Sequence, residues 1–157
     1  MKGLNEFMTL GIIVLISITL ITISINYIKP IIERSNDNFA LNEGLSNLIL
    51  IKNTIEEISS ESQGSSRTIK LRSYYGVYIF DSLSDTINFT HVKSSDVSFY
   101  GNRNGINVTT SGNVIMIFTK IDNIDIMNSL VFTKGDNILK ISYDSFDNGL
   151  VKINITS

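Results

Sequence analysis

An uncharged run near the N-terminus limits what this chain can fold into more than any other feature. Residues 7–28 are rich in Ile and Leu, with scattered Ser and Thr, and contain no Asp, Glu, Lys or Arg. As an α-helix rising about 1.5 Å per residue, the run would extend roughly 33 Å, which is enough to cross a hydrocarbon core of about 30 Å. We therefore expect a helix that meets a membrane at some stage.

The segment before this run differs from an ordinary secretory signal. Such a signal has a longer basic region, a shorter apolar core and a small-residue cleavage site after that core. Here the small residue, Gly3, directly follows Lys2 and lies before the apolar run. A membrane peptidase could cut after Gly3 and leave the apolar segment on the product, so we expect residues 1–3 to be a leader and the mature chain to begin at Leu4.

Three sequence features together resemble a known family. They are Lys2-Gly3-Leu4-Asn5-Glu6-Phe7, the uncharged Ile/Leu/Val stretch and the closing Lys29-Pro30. They are similar to the class III signal peptide and N-terminal helix of archaeal type IV pilins, relatives of the archaellins. The likeness is strongest over residues 2–33 and weaker over 41–89. In the bacterial pattern a Phe opens the mature chain and the Glu follows two residues later than here, so a bacterial pilus is the less favoured assignment.

The resemblance implies a structural role outside the cell. A chain of this kind would be inserted in the cytoplasmic membrane as a precursor, cut by a prepilin-type peptidase and added by a membrane assembly platform to a helical homo-oligomer. The product would be an extracellular type IV pilus-like surface filament for adhesion or cell contact.

Glu6 places a carboxylate at the start of the apolar run. Burying that charge in lipid or protein is costly unless it is paired or neutralised. Cleavage after Gly3 would create an ammonium on Leu4, and Glu6 of an incoming subunit could pair with that group on a neighbour and set the axial register. Alternatively, Glu6 lies among the lipid headgroups in the first turn of the helix. The helix dipole stabilises a negative charge there, so Glu6 would need no partner.

The interior of the run favours contact with other helices. It is less lipophilic than a typical permanent anchor, because it is rich in β-branched residues and contains polar side chains of the kind that commonly face other helices. These polar residues are Ser17, Thr19, Thr22, Ser24 and Asn26. We expect the run, from Phe7 through Ile16 at its middle, to bury against identical helices. Ile16→Asp should then abolish filaments.

The helical pattern continues beyond the apolar run. Pro30 lacks an amide hydrogen and disfavours helical angles at Lys29, so we expect a kink or a short unwound turn there. An amphipathic helix follows, with apolar residues three and four apart: Leu41, Leu45, Leu48, Ile51, Ile55 and Ile58. The pattern predicts one long bent helix over 4–62, ended by a Ser/Gly-rich segment at 59–66.

The remaining residues, 63–157, predict a β-rich head, the name used below for this part of the chain. Apolar and polar residues alternate, and turn signals separate the segments, as in half-buried antiparallel strands. The expected inward residues are Ile69, Leu71, Tyr75, Val77, Ile79, Ile87, Phe89, Ile106, Val108, Leu139, Ile141, Tyr143, Val151, Ile153 and Ile155. Every residue from 114 to 118 is apolar, which predicts a central strand buried on both faces, between the second sheet and the amphipathic helix or a neighbouring subunit. The fold class is therefore α+β, with a small sandwich or a partly closed barrel.

Composition and motifs favour a non-enzymatic protein without a metal or cofactor. The net charge of −2 and the dispersed basic residues do not predict nucleic-acid binding, and zero Cys excludes thiolate sites. The single histidine, His91, receives no role. Asp144, Asp147 and Asn148 lack the spacing of a calcium loop and favour a hairpin turn. Tyr74, Tyr75, Tyr78 and Tyr100 could form an adhesive patch, but cross-strand packing is favoured.

Three Asn-x-Thr sequons begin at Asn88, Asn107 and Asn154. With 17 Asn and 32 Ser or Thr in the chain, their number carries no weight. Their positions in the strands are more informative. Each Asn has apolar neighbours that are expected to point inward, and successive strand residues point to opposite faces. Each Asn should therefore face outward, where it could carry a glycan.

Two function classes remain open. In the first, the chain is a filament subunit. In the second, it stays a single-pass membrane-anchored β-sandwich ectodomain that acts as a binding or surface-layer-associated module. The first is favoured because the apolar helix runs directly into the amphipathic one, whereas an anchored ectodomain more often has a flexible linker.

Overall fold

The computed structural model describes residues 2–157, with side chains described from Phe7 onward. One helix, α1 (Lys2–Ser59), precedes ten strands. The strands are β1 (Ser66–Ser73), β2 (Val77–Asp81), β3 (Thr86–Val92), β4 (Gly101–Arg103), β5 (Ile106–Ser111), β6 (Val114–Lys120), β7 (Ile124–Ile126), β8 (Leu130–Phe132), β9 (Gly135–Asp147) and β10 (Leu150–Thr156).

The strands form two sheets, as predicted for an α+β chain with a sandwich-like head. One sheet has the order β1-β9-β10-β7 and the other β4-β5-β6-β3-β2-β8. The described pairings are antiparallel except that of β10 with the short β7, which is parallel. The two sheets do not close into a barrel, so of the two predicted head architectures the sandwich is confirmed.

The helix runs through Pro30 without a break, so of the two expectations for this position, a kink or a short unwound turn, the unwound turn does not form. A proline removes one backbone hydrogen bond, yet the surrounding turns remain helical. Lys29 and Glu33, one turn apart, bring Nζ and Oε1 to 3.8 Å across this position. The helix ends at Ser59 rather than near residue 62. There the hydroxyls of Ser59 and Ser60 donate to the carbonyls of Glu56 and Glu57 at 2.8 and 2.7 Å, and so satisfy acceptors of the last turn.

The second half of α1 packs against both sheets. Five of the six predicted apolar positions, Leu45, Leu48, Ile51, Ile55 and Ile58, are buried, and Leu41 is partly buried. They join the inner faces of the two sheets in one hydrophobic core. The predicted amphipathic half is therefore confirmed, and the head encloses one side of it.

Gly44 permits the closest approach of the helix to the six-stranded sheet. A Cβ at this position would lie 2.5 Å from the Phe89 ring and 2.8 Å from Cδ1 of Ile117. Because real carbon atoms do not approach so closely, a side chain at 44 would push the helix off β3 and β6.

The predicted inward positions were wrong in two strands, β2 and β6. In β2, Tyr78 and Phe80 are fully buried, whereas Val77 and Ile79 are only partly buried. Every residue from 77 to 80 is apolar or aromatic, so alternation alone could not choose the inner face; the two large rings occupy it, and Tyr78 stacks on Phe132 with centroids 4.9 Å apart.

Strand β6 was predicted to be buried on both faces, but only one of its faces is buried. Ile115 and Ile117 are buried, but Met116 and Phe118 are each 37% exposed. The helix covers only one face of this strand, because Ile117 points at Gly44 and its neighbours point the other way.

Candidate assembly segment and head anchors

The first half of α1, residues 7–32, is termed the apolar half. Its large apolar side chains are between 47% and 81% exposed, the values for Ile23 and Phe7. By length and composition the helix that contains it could cross a membrane. Apolar surface of this extent does not remain in water, so the apolar half requires lipid or other protein around it.

Four hydroxyls of the apolar half are satisfied within the helix itself. Those of Ser17, Thr19, Thr22 and Ser24 donate to the carbonyl four residues earlier at 2.8 to 2.9 Å. Such bonds allow a hydroxyl to lie in an apolar medium without an outside partner. These four hydroxyls therefore do not require a neighbouring helix to satisfy them.

The predicted assembly residues lie along this segment. Phe7 and Ile16 are exposed at 81% and 52%, and Pro30 lies on the exposed surface just after the run. Gly3, Leu4 and Glu6 fall within α1, but side chains before Phe7 lie outside the described part of the chain. The pairing of Glu6 and cleavage after Gly3 therefore stay predictions.

A buried carboxylate fixes the helix where it enters the head. Asp37 is 1% exposed and accepts hydrogen bonds from the amides of Ser94 and Ser95 at 3.1 and 2.8 Å, and from the Ser95 hydroxyl. Nε2 of His91 lies 3.2 Å from Oδ1 of Asp37, the oxygen that also accepts from the Ser94 amide. We call these four residues the Asp37 anchor. The anchor holds the loop after β3 against the helix.

The anchor stabilises the charged form of Asp37. Burial by itself would raise the pKa of this carboxyl, but the hydrogen bonds from Ser95, Ser94 and His91 outweigh that effect and hold its pKa below the usual value of 3.8. The carboxylate is therefore ionised at neutral pH and satisfied by donors rather than by a permanent cation.

Further polar side chains of α1 attach other loops. Glu43 accepts from the amides of Tyr74 and Tyr75 at 3.0 and 3.3 Å, between β1 and β2. Nδ2 of Asn47 donates to the Tyr78 hydroxyl at 2.7 Å, and Lys52 Nζ donates to the Asn104 carbonyl at 3.0 Å. Because these bonds are distributed from residue 37 to residue 52, the head is tied to the helix over several turns.

The sequence pattern did not identify these anchors. Asp37 follows the apolar run among polar residues and reads as a solvated helix position, and His91 received no role. A weak signal existed, because an acid at 37 is spaced three and seven residues before Ala40 and Gly44, on the helix face that becomes buried. Their donors come from residues far along the chain, so the pairing itself could not be read from sequence.

The four tyrosines at 74, 75, 78 and 100 and the polar group at 144–148 do not form one site. Tyr78 is buried and Tyr75 packs edge-on to His91, whereas Tyr74 and Tyr100 are exposed. The packing interpretation therefore holds for Tyr75 and Tyr78. Asn148 adopts a left-handed φ of 52° between β9 and β10, as in a hairpin turn. Among residues 7–157, whose side chains the structure describes, no group of three or more His, Asp or Glu side chains could hold a metal ion.

The sequon asparagines occupy strands of the head. Asn88 lies in β3, Asn107 in β5 and Asn154 in β10, and all three are partly exposed. Nδ2 of Asn88 donates to Thr86 Oγ1 at 3.1 Å, whereas Asn107 accepts from Asn102 through Oδ1 at 2.9 Å. Asn88 and Asn154 each lie between two buried residues of their strands, as parity predicts, whereas Asn107 follows the buried Ile106 but precedes Val108, which is only partly buried.

Comparisons with known proteins identify no relative of this chain. No protein-family model matches it, and no curated protein and no solved structure is detectably similar to it.

Proposed function

We propose that this chain is a structural, non-enzymatic subunit of an extracellular type IV pilus-like filament, inserted in a membrane before assembly. The observation that carries the proposal is the continuity of α1. One uninterrupted helix of 58 residues joins an exposed apolar half to a half that the head encloses and anchors.

This continuity suits assembly better than tethering. At about 1.5 Å per residue the helix is roughly 87 Å long, so a subunit is a rod with a head fixed at one end. In a bundle of such rods the apolar halves bury one another, each Å² removed from water contributing about 25 cal/mol. Because the anchors fix the head to the helix, the position of each helix in the bundle also sets the position of its head. The heads form the outer wall of the filament.

The start of the helix supplies the register. Once the leader is removed after Gly3, the new ammonium of Leu4 is the cation that Glu6 of the incoming subunit meets. A charge pair inside an apolar bundle is strongly favoured over an unpaired charge there, so only registers that make the pair are populated. The peptidase and the assembly platform are the partners that this sequence of events requires.

The test uses cells that make filaments and compares two carboxylate substitutions on one helix. Glu6→Gln should leave the protein in the membrane fraction but reduce the yield of filaments sheared from the cells and counted by electron microscopy. Glu33→Gln is the matched control, because Glu33 is also on α1 but outside the apolar run, and it should assemble normally.

The outcomes separate the competing function classes. Normal filament yield from Glu6→Gln would show that the register argument is wrong. Wild-type protein that reaches the membrane, exposes its head outside and remains monomeric in cells and after detergent removal would instead support the anchored ectodomain.

A further inference from the structure

The outer face of the six-stranded sheet exposes two large apolar side chains at its centre. Met116 and Phe118 point away from α1, and each is 37% exposed. Ile79 and Val131 lie farther toward the β8 edge in the same cross-strand row, but Asn88 of β3 separates them from Phe118. The exposed apolar surface at the centre is therefore the pair Met116 and Phe118, bounded by polar residues of β3 and β5.

The strand register places a sequon on each side of this pair. Asn88 and Asn107 are both directly opposite Phe118, on β3 and β5 respectively. Thr90 and Thr109, the third residues of the same two sequons, are both directly opposite Met116. Because residues directly opposite one another share a face, the acceptor and hydroxyl residues of both sequons surround the apolar pair on its exposed side.

We propose that Asn88 and Asn107 carry N-linked glycans that cover Met116 and Phe118. The face bearing them is then the outer wall of the filament rather than a contact between subunits. This inference rests on the proposed function, because it requires the head to lie outside the membrane. It is also consistent with the fold, since this face is turned away from α1, which would form the filament core.

The chemistry joins the side-chain amide to a sugar. Nδ2 of each Asn attacks the anomeric carbon of an oligosaccharide linked to a lipid diphosphate, in the active site of a membrane transferase. The bond from that carbon to the phosphate oxygen breaks, and its electron pair leaves with the diphosphate. A carbon–nitrogen bond forms, and the amide proton passes to the departing diphosphate. In the folded head the hydrogen bond of Asn107 uses Oδ1 and leaves the reacting nitrogen out, whereas Nδ2 of Asn88 donates to Thr86 Oγ1 and must give up that bond to react.

The third sequon provides an internal contrast. Asn154 lies opposite Ser142 on β9, and Thr156 lies opposite Lys140. The residues directly opposite this sequon on β9 are polar, in contrast to Met116 and Phe118 beside the other two sequons. Modification of Asn154 is not part of the inference.

The experiment is mass spectrometry of proteolytic peptides from the full chain, collected from the surface of its source cells. We expect the peptides containing Asn88 and Asn107 to carry glycan masses, and Asn88→Gln and Asn107→Gln each to remove one. Thr90→Ser and Thr109→Ser are matched controls, because they keep the sequons and should keep both glycans. The double Asn→Gln variant should bind an apolar-surface dye more strongly than Asn154→Gln does.

Each outcome supports or overturns the inference. Unmodified Asn88 and Asn107 on a head that external protease can reach would overturn the inference but leave the proposed filament role intact. A head that external protease cannot reach would overturn both. Glycans whose removal does not increase dye binding would overturn the covering role, as would protection of the unglycosylated face by a second copy of the chain.

Discussion

Replacing Asp37 by Asn should destabilise the head strongly, although the two side chains have nearly the same shape. Asp37 is 1% exposed, and its carboxylate accepts from two backbone amides and a hydroxyl, with His91 at 3.2 Å. An amide group keeps only one acceptor oxygen, and its NH₂ would point at a donor. Bonds to a charged group contribute about 1.5–3 kcal/mol each but share two oxygens, so we expect a loss of about 2–4 kcal/mol in the free energy of unfolding.

The assay is denaturant unfolding of the full chain in detergent, followed by a signal from the head. Asp96→Asn is the control, because Asp96 lies on the same loop but is exposed, and its substitution should change the free energy by less than about 0.5 kcal/mol. Hydrogen exchange should also accelerate at Ser94 and Ser95 in the Asp37 variant alone. If the two variants unfold at the same denaturant concentration, the anchor does not stabilise the head and the reasoning fails.

The pH dependence follows from the lowered pKa of Asp37. A carboxyl whose pKa is lower in the folded than in the unfolded chain stabilises the fold above the unfolded value, and this contribution is lost as pH falls through the folded value. The difference between wild type and Asp37→Asn should therefore be full at neutral pH and shrink below the ordinary value of 3.8. A difference that grew as pH fell would contradict the ionised state assigned to Asp37.

Three further predictions follow from single positions. Gly44→Ala should cost about 1–3 kcal/mol of unfolding free energy by overpacking against Phe89, whereas Gly11→Ala, where nothing lies within 4 Å, should leave it unchanged. Tyr78→Phe removes the bond from Asn47 at 2.7 Å and should lower the free energy of unfolding by about 0.5–1.5 kcal/mol relative to wild type. Intact mass of purified filaments should give a chain that begins at Leu4, and a chain retaining Met1 would argue against cleavage.

The architecture followed from local patterns. The uncharged run and the apolar spacing of three and four predicted α1, because helical burial needs only one repeating face. Alternation predicted the β-rich head, and the side assigned to Ile87 and Phe89 was correct. At Pro30 the helix does not unwind, because the proline removes one hydrogen bond and the turns on either side remain helical; the kink at this position stays a prediction.

The choices that depend on distant residues were made only in the folded chain. The apolar segments of β2 and β6 allowed either face to be buried, and the stacking of Tyr78 on Phe132 and the approach of Ile117 to Gly44 decided which one was. The donors to Asp37 are more than fifty residues away in sequence, so no local period could reveal that anchor. By itself the sequence determined that this protein has an apolar rod and a β-rich head, because such periodicities reflect each element's own geometry. Tertiary structure decided which faces meet and which carboxylate holds them, because those depend on contacts between elements.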